Sequence, residues 1–406
     1  MSRVLFILSV LAMAAELFSC RKMLPQTPDP EETLAEPLEG LTPEQLFLFS
    51  MGDENFSHVF SREQGLGPVF VQTSCEGCHV KDGKGNPFNN VTRFGKYVNG
   101  TWDPLYDQGG PQLQPRAIAN YLAETVPQGA SSDQLLPPNV TGLGLLEAVP
   151  DSVLLALSDS ADADGDGISG KVNWISPRSY FIPKPDRISR NGKYIGRFGR
   201  KASSVDLVQR VTDAFHGDIG ITSEYEMTDP FNYTVSSLNG DHVADPEIPF
   251  STLSQTVFYM RTLKAPPRRN TGNSDVQAGE AIFIQTGCAK CHIPTLATGY
   301  SEIEALRYKT FHPYADLLLH DMGPALDKGY TEGSALSSEW RTPPLWGFGL
   351  QQNSQGGSIF LLHDGRARTV EQAVSYHGGE AAFASHAFQS LSESDKQKLI
   401  AFLKSL

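Results

Sequence analysis

The sequence has few cysteines and a shortage of positive charge, and each shortage excludes a class of protein. Only five of its 406 residues are cysteines, and all five belong to motifs described below, which leaves none for a structural disulfide. The 33 Lys and Arg residues are outnumbered by 46 Asp and Glu residues, and the net charge is −13. This acidic balance argues against a nucleic acid as partner. An apolar run at residues 4–18 is too short for a comfortable transmembrane helix.

The first forty residues are typical of an exported protein. The apolar run ends in Leu17-Phe18-Ser19-Cys20, which resembles a bacterial lipobox. We therefore predict a lipoprotein-type signal peptide at 1–20, with a plain signal peptide or anchor as the alternative. The protein is then periplasmic or anchored at the outer membrane, and it touches the membrane only through a lipid on Cys20. Residues 21–40 are rich in Pro and Glu and predict a flexible tether.

Two short motifs carry the other four cysteines: Cys75-Glu76-Gly77-Cys78-His79 and Cys288-Ala289-Lys290-Cys291-His292. Each is a C-x-x-C-H element, the attachment signature of a c-type haem, in which the cysteines form thioethers and the histidine binds iron. A dithiol or a zinc site is the alternative for an isolated C-x-x-C pair. Here a histidine follows each pair directly, and a four-thiolate site would need two distant pairs to meet. The sequence therefore predicts two covalently bound c-type haems and redox chemistry.

Helical periodicity between long Gly/Pro-rich loops predicts a mainly α fold with two cytochrome c-like haem domains. Thr42-Pro43-Glu44-Gln45 is typical of a helix start, and a terminal helix should begin near Ser392. A faint repeat relates residues 138–145 to residues 343–350. We expect an N-terminal domain at 41–265, which contains an inserted segment after about residue 151, and a C-terminal domain at 266–406.

Five further segments carry a family resemblance: Gly142-Leu143-Gly144-Leu145-Leu146-Glu147-Ala148, Asp164-Gly165-Asp166-Gly167-Ile168-Ser169-Gly170, Gly196-Arg197-Phe198-Gly199, Arg341-Thr342-Pro343-Pro344-Leu345-Trp346-Gly347 and His363-Asp364-Gly365-Arg366-Ala367. With the haem motifs, the set resembles bacterial di-haem oxidoreductases of the peroxidase type, relatives of di-haem cytochrome c peroxidase and MauG, over residues 45–406. The resemblance implies that one haem takes electrons from a donor protein, a small cytochrome or cupredoxin, while the other reduces hydrogen peroxide. A pure electron-transfer cytochrome and MauG-like oxidation of a protein substrate are the alternatives.

A peroxide-reactive haem needs an open sixth position and a nearby acid/base group. By its position after the first haem motif, Glu147 matches the distal glutamate of the peroxidase relatives; a helix cap or salt bridge is the other interpretation. The sequence contains no histidine or methionine between His79 and His216. This absence predicts an open first haem, unless His58 or His216 approaches from elsewhere. His216 lies in a polar segment that favours a surface position.

The second haem should be six-coordinate if it relays electrons. Two residues compete for its sixth position: His377, by its alignment with the relatives' axial ligand, and Met322, by its distance beyond His292. Bis-histidine ligation would give the lower reduction potential. Three further residues, Arg341, His363 and Arg366, are candidates for contacts to haem propionates or for ordering the haem pocket.

Two other features have a functional and a structural interpretation. Trp174 is either an electron-transfer stepping stone between the haems or a plain core residue. The loop Asp162-Ala163-Asp164-Gly165-Asp166-Gly167 alternates carboxylates as calcium loops do, but Asn173 occupies the twelfth position. Relatives hold a calcium between the haem domains, and the resemblance therefore implies a calcium somewhere in the protein. This loop is not shown to be that site, and a tight solvated turn is the alternative.

Overall fold

The computed structural model describes residues 33–235 and 240–406, and Leu34–Leu406 form one compact unit. The predicted signal peptide at 1–20, with Cys20, and residues 21–32 of the predicted tether lie outside the described residues. The rest of the tether packs against the folded body. Leu34 is buried, Pro37 forms a β-bridge with Leu263, and Glu39 pairs with the ammonium group of Lys264.

The helices of the described residues are between 4 and 15 residues long. Those predicted at Thr42 and Ser392 are confirmed, because each residue accepts a hydrogen bond from a backbone N–H in the first turn. The helices are α1 Pro43–Ser57, α2 Leu143–Glu147, α3 Asp151–Leu157, α4 Leu207–Ala214, α5 Phe250–Thr262, α6 Ser274–Gln285, α7 Gln351–Ser354, α8 Val370–Ser375, α9 Ala382–Gln389 and α10 Glu393–Ser405, with a π-turn at Phe215–Ile219 after α4.

All the strands pair antiparallel. Strands β3, β2 and β5 form a three-stranded sheet in that order, and the others form two-stranded ribbons that pair β1 with β4, β6 with β7, β8 with β9 and β10 with β11. The strands are β1 Val69–Phe70, β2 Val91–Val98, β3 Thr101–Asp103, β4 Arg116–Ala117, β5 Ser131–Leu135, β6 Trp174–Ile175, β7 Tyr194–Ile195, β8 Leu296–Ala297, β9 Thr310–Phe311, β10 Leu319–Asp321 and β11 Glu339–Arg341.

The prediction of a mainly α fold was wrong. The structure is 33% helical and contains 12% strand. The long loops between the helices are where the strands form, and β2 is the clearest case. Its β-branched and aromatic residues favour an extended chain. The prediction of a mainly α fold rested on helical periodicity, which does not detect such strands.

The faint repeat in the sequence is confirmed as a structural repeat. Gly142 and Gly347 both have φ near +69°, a conformation that favours glycine. Each donates its N–H to a residue just beyond a helix, Gly142 to the Leu263 carbonyl and Gly347 to the Leu406 carbonyl. In both halves a helix after the glycine turn is therefore tied to the end of a long helix.

Each half also contains a pair of long helices that cross at a glycine. Helix α1 packs on α5 and helix α6 packs on α10. A Cβ atom on Gly52 would lie 2.3 Å from the Gln255 carbonyl oxygen, and one on Gly279 would lie 2.0 Å from the Lys398 carbonyl oxygen. Since real side chains do not approach so closely, both crossings depend on glycine.

Two hydrophobic clusters form most of the core. The larger extends from Phe49 to Trp346, whereas the other contains only residues from Val276 onward. Because the larger cluster spans both predicted domains, the boundary at residue 265 stays a prediction. Among the described residues, no helix is long and apolar enough to cross a membrane.

Candidate redox centre

One cavity contains both C-x-x-C-H motifs. The volume of this cavity is about 3050 Å³, and part of it is open to solvent. The four motif cysteines form no disulfide and line this cavity together with the two motif histidines. The first motif lies between β1 and a 3₁₀ turn, and the second begins just after α6. The fold therefore brings the two motifs, more than two hundred residues apart in sequence, to one site.

The two motif histidines have the same hydrogen-bond geometry. His79 Nδ1 lies 2.8 Å from the Pro138 carbonyl oxygen, and His292 Nδ1 lies 2.8 Å from the Tyr314 carbonyl oxygen. Such bonds fix the ring and leave Nε2 for a metal. Burial lowers the pKa of each imidazole to about 4. Both rings are therefore neutral at pH 7, which is the form that binds iron.

His377 repeats this geometry at a third position. It lies just beyond α8 and lines the cavity, and its Nδ1 is 2.8 Å from the Ala373 carbonyl oxygen. Burial lowers the pKa of His377, and the His377 imidazole is one of the groups that lower the pKa of His292. The two rings thus belong to the same half of the cavity. The structure gives His377 the features of an axial ligand.

Met322 also lines the cavity but is engaged elsewhere. It packs against a small cluster formed by Leu135, Leu326, Tyr330 and Trp340. A thioether can leave such packing, so the choice of sixth ligand stays a prediction. The geometry supports His377 over Met322, because its second ring nitrogen has no hydrogen bond among the described residues.

Two other cavity-lining histidines are held by carboxylates. His320 places Nε2 at 2.8 Å from Asp316 and Nδ1 at 2.7 Å from Glu380. Burial opposes its protonation, but these hydrogen bonds raise the pKa of His320 to about 12. A doubly bonded, protonated ring cannot bind iron. The sequence alone does not reveal this role of His320, because its partner Glu380 lies 60 residues away along the chain.

His363 is the second of these histidines. Its Nε2 lies 3.0 Å from an Asp133 oxygen, and its ring stacks on Trp340 with centroids 3.7 Å apart. This arrangement orders the cavity wall. A role in ordering the haem pocket was one of the two expectations for His363, and contact with a propionate stays a prediction.

The N-terminal half of the cavity is rich in charge and poor in ligands. Its lining includes Arg93, Arg200, Arg210 and Asp218. Among the cavity-lining residues up to position 265, His79 is the only histidine and Met260, on α5, is the only methionine. Its position in the sequence does not predict this place in the cavity, because Met260 lies well beyond the interval from His79 to His216.

The two histidines that could have approached the first haem do not line the cavity. His58 is exposed and packs edge-on against Phe60. His216 lies in the π-turn, with Nε2 at 2.8 Å from the Thr228 carbonyl oxygen. Neither of these two histidines therefore reaches the cavity beside the first motif.

Glu147 is a buried ion-pair residue and does not line the cavity. Its carboxylate accepts hydrogen bonds from Arg261 at 2.8 Å, from Lys184 at 3.2 Å and from the Leu207 N–H at 2.9 Å. Burial alone would raise the pKa of Glu147, but Arg261 and Lys184 hold it well below the ordinary value. This is the salt-bridge interpretation of Glu147, and its role in proton transfer stays a prediction.

The remaining candidates divide between the cavity and its surroundings. Arg341 lines the cavity; burial lowers its pKa to about 10, and its Nε donates to the Gly199 carbonyl at 2.9 Å. Arg366 and Trp174 do not line it. Arg366 pairs with Asp364, and Trp174 is half-buried on β6 with Arg190 over its ring.

The acidic loop at 162–167 is tied to the second haem motif. Asp166 pairs with Lys290, at 2.9 Å, inside the second C-x-x-C-H element. Asp159 and Asp162 accept hydrogen bonds from N–H groups of the loop itself. Their carboxylates stabilise the turn, as the solvated-turn interpretation requires, and calcium in this loop stays a prediction.

Two solved structures resemble the chain at low sequence identity. A chain of hydrazine synthase from Kuenenia stuttgartiensis is 16% identical with a TM-score of 0.39, and the match covers 94% of this chain and 96% of that one. A MauG-like protein associated with microbial copper homeostasis is 16% identical with a TM-score of 0.32, over 71% and 94% of the two chains. No curated protein matches the sequence.

The family assignment rests on a sequence model. The model described as "Di-haem oxidoreductase, putative peroxidase" matches residues 117–406. This range is more than half of the chain and contains the second haem motif with all five family segments. The protein belongs to the di-haem oxidoreductase family, and haem is its cofactor.

Proposed function

We propose that the protein is an exported di-haem c-type oxidoreductase that reduces hydrogen peroxide at the N-terminal haem, with electrons supplied through the C-terminal haem. One observation carries the proposal, the unequal supply of imidazoles around the cavity. His377 repeats the geometry of the motif histidines in the C-terminal half, whereas His79 has no counterpart among the described lining residues of the N-terminal half. An electron relay keeps six ligands, while a peroxide site needs one position open.

The residues present fit two covalently bound haems. The pairs Cys75/Cys78 and Cys288/Cys291 supply thiols for thioethers, and the neutral imidazoles of His79 and His292 supply the proximal nitrogens. Bound haem iron supplies the one-electron chemistry and the site for peroxide. The protein supplies orientation, an apolar enclosure and charged groups.

Asp218 is the carboxylate of the N-terminal half best placed to move a proton. It lines the cavity, burial raises its pKa, and Gln112 Nε2 donates to it at 2.6 Å. A carboxyl group with a raised pKa exchanges a proton more readily near neutral pH. Arg93 and Arg210 line the same region and supply positive charge for an oxygen that becomes negative as the peroxide bond breaks. Glu147 would instead hold Arg261 and the end of α5 in place.

Partner and location extend the proposal. The net charge of −13 favours a donor with a basic contact surface, such as a small cytochrome or cupredoxin. A lipid on Cys20 would hold the protein in the periplasm or at the outer membrane, where such donors circulate. This part is supported by the sequence alone.

Electron paramagnetic resonance of the holoprotein tests the proposal. We expect one high-spin and one low-spin haem, at the latest in the half-reduced state, and consumption of peroxide with a reduced cytochrome as donor. Asp218→Asn should slow turnover about 10²-fold or more, as expected for loss of an acid/base group, with little change in the spectrum. Two low-spin haems without peroxide turnover would mean an electron-transfer cytochrome instead.

A further inference from the structure

A second cluster of titratable groups lies outside the cavity, in the segment between the π-turn and α5. It contains Asp229, Asp241, Asp245 and Glu247. One oxygen each of Asp229, Asp245 and Glu247 lies within 4.8 Å of the other two. Neither the family assignment nor the proposed function accounts for this cluster.

Two of its carboxylates are buried and only half satisfied. Asp229 is 8% exposed and Asp241 is 3% exposed. The Asp241 N–H donates to Asp229 Oδ2 at 2.9 Å, and the Val243 N–H donates to Asp241 Oδ1 at 2.7 Å. The other oxygens, Asp229 Oδ1 and Asp241 Oδ2, are buried and accept no hydrogen bond from any described residue. Buried polar atoms normally have a partner, so each of these oxygens indicates a ligand.

In Glu247 and Asp245, too, one carboxylate oxygen accepts a hydrogen bond. The Thr222 N–H donates to Glu247 Oε2 at 2.6 Å, and the Thr222 hydroxyl donates to Asp245 Oδ1 at 2.5 Å. Glu247 Oε1 is buried and accepts no hydrogen bond from the described part of the chain. The bonded oxygens fix each side chain, and Glu247 Oε1 is left without a partner among the described residues.

No Lys or Arg among the described residues forms an ion pair with these four carboxylates. Two other buried acids differ in this respect, since Glu147 pairs with Arg261 and Asp151 pairs with Arg197. The cluster therefore has a surplus of negative charge, which a bound cation would neutralise.

We propose that Asp229, Asp245 and Glu247 bind a calcium ion, with Asp241 as the fourth, adjacent carboxylate. All candidate donor atoms are oxygens, and neither a cysteine nor a histidine is in the group. Such a set suits a hard divalent cation and not zinc or copper. Donors on two irregular segments, one with Asp229 and one with Asp245 and Glu247, do not impose the near-ideal octahedron that magnesium requires, so they favour calcium. The exposed Asp245 side leaves room for water ligands.

The site would brace the wall of the N-terminal half of the cavity. Thr222, which holds two of the carboxylates, follows closely after Asp218 and Ile219, and both of these line the cavity. Glu247 lies directly before α5, whose Thr256 and Met260 line the same cavity. A calcium ion here would tie the end of the π-turn to the start of α5. It would differ in position and donor set from the loop at 162–167.

Calcium titration of the chelator-treated holoprotein tests the site. We expect one calcium per chain at this cluster, an increase in the melting temperature of several degrees at saturating calcium, and little response to the same concentration of magnesium. Asp229→Asn/Asp241→Asn should lower calcium affinity at least about 100-fold, because affinity follows the charge of the ligand set. In chelator the same variant should melt at a higher temperature than the wild type, since the repulsion is relieved.

Two further variants keep the result interpretable. Asp162→Asn/Asp164→Asn removes the same charge from the acidic loop and should leave the calcium-dependent melting shift intact. Asp245→Asn changes an exposed residue, so it should fold normally and bind calcium about 10-fold more weakly. The proposal is overturned if the wild type binds no calcium, or if the loop variant abolishes binding while the Asp229/Asp241 variant retains it.

Discussion

At the residue scale, the histidines show what a sequence motif can and cannot reveal. The motif predicted His79 and His292 as ligands from spacing alone. Spacing left the sixth position of the second haem open between His377 and Met322, and it does not show how His377 and His320 differ. The difference is in their hydrogen bonds: His320 is held by two carboxylates, whereas His377 has one bond to a carbonyl oxygen of its own helix. Partners distant in sequence decide which imidazole is free.

Removal of the His377 imidazole tests the assignment of the sixth ligand. We expect His377→Ala to convert the low-spin C-terminal haem to a high-spin form and to shift its reduction potential, because the axial position would be vacated. Met322→Leu is the matched control and should preserve the low-spin spectrum. Optical and paramagnetic resonance spectra provide the readout. A spectral change in Met322→Leu with none in His377→Ala would assign the ligand to Met322.

The ion pairs of Glu147 predict a pH dependence of stability. Because the pKa of Glu147 is lowered on folding, its contribution is present above the unfolded value of about 4.5 and decreases as pH falls toward the lower, folded value. Glu147→Gln leaves Arg261 and Lys184 without their charged partner and should lower the free energy of unfolding by about 3 kcal/mol at pH 7. Denaturant titrations at several pH values measure both effects.

The same variant separates the two interpretations of Glu147. If Glu147 acts only through Arg261 and Lys184, turnover with peroxide at low temperature should change much less than stability. A loss of turnover by about 10²-fold in a fully folded variant would instead identify Glu147 as the proton-transfer residue. The sequence could place Glu147 near the first haem motif by resemblance, but Arg261 is 114 residues away along the chain, and this pairing is visible only in space.

At the element scale, helix ends and the repeat were predictable, whereas the strands were not. The helix start at Thr42 depends on local hydrogen bonds, which a short sequence segment encodes. Strand β2 depends on β3 and β5 for its partners, and β5 begins more than thirty residues after β2 ends. A strand gains its stability from such pairings, so it is harder to recognise from its own residues.

The glycine at the crossing of α6 and α10 allows a direct test of the helix packing. Gly279→Ala places a methyl group 2.0 Å from the Lys398 carbonyl oxygen, so the helices must separate. We expect a loss of about 1–3 kcal/mol of unfolding free energy, although alanine by itself favours a helix. Gly272→Ala is the control, because a Cβ atom there meets nothing within 4 Å. Equal stabilities of the two variants would contradict the close crossing.

At the scale of the whole molecule, the sequence predicted two haem domains and the structure shows one compact unit from Leu34 onward. The haem motifs are similar enough to suggest two similar domains. The larger hydrophobic cluster nevertheless joins residues from both predicted halves. A single cavity contains both haem motifs, which places the two predicted cofactors inside one enclosure. Contacts between distant segments are the part of this organisation that composition and periodicity do not encode.

Covalent attachment and the lipid anchor can be tested on the full chain with one set of variants. Thioethers survive denaturation, so wild-type protein should retain two haems after denaturing electrophoresis, and Cys288→Ser/Cys291→Ser should retain one. Mass spectrometry of the unfolded chain measures the number of attached haems directly.

Cys20→Ser, expressed with its own leader, should retain both haems but move from the membrane fraction to the soluble fraction, because only the lipid is lost. Since the three cysteine sites act independently, loss of haem and loss of the anchor should separate completely. A Cys20→Ser variant that remains in the membrane fraction would contradict the anchor, and a denatured wild type without haem would contradict the thioethers.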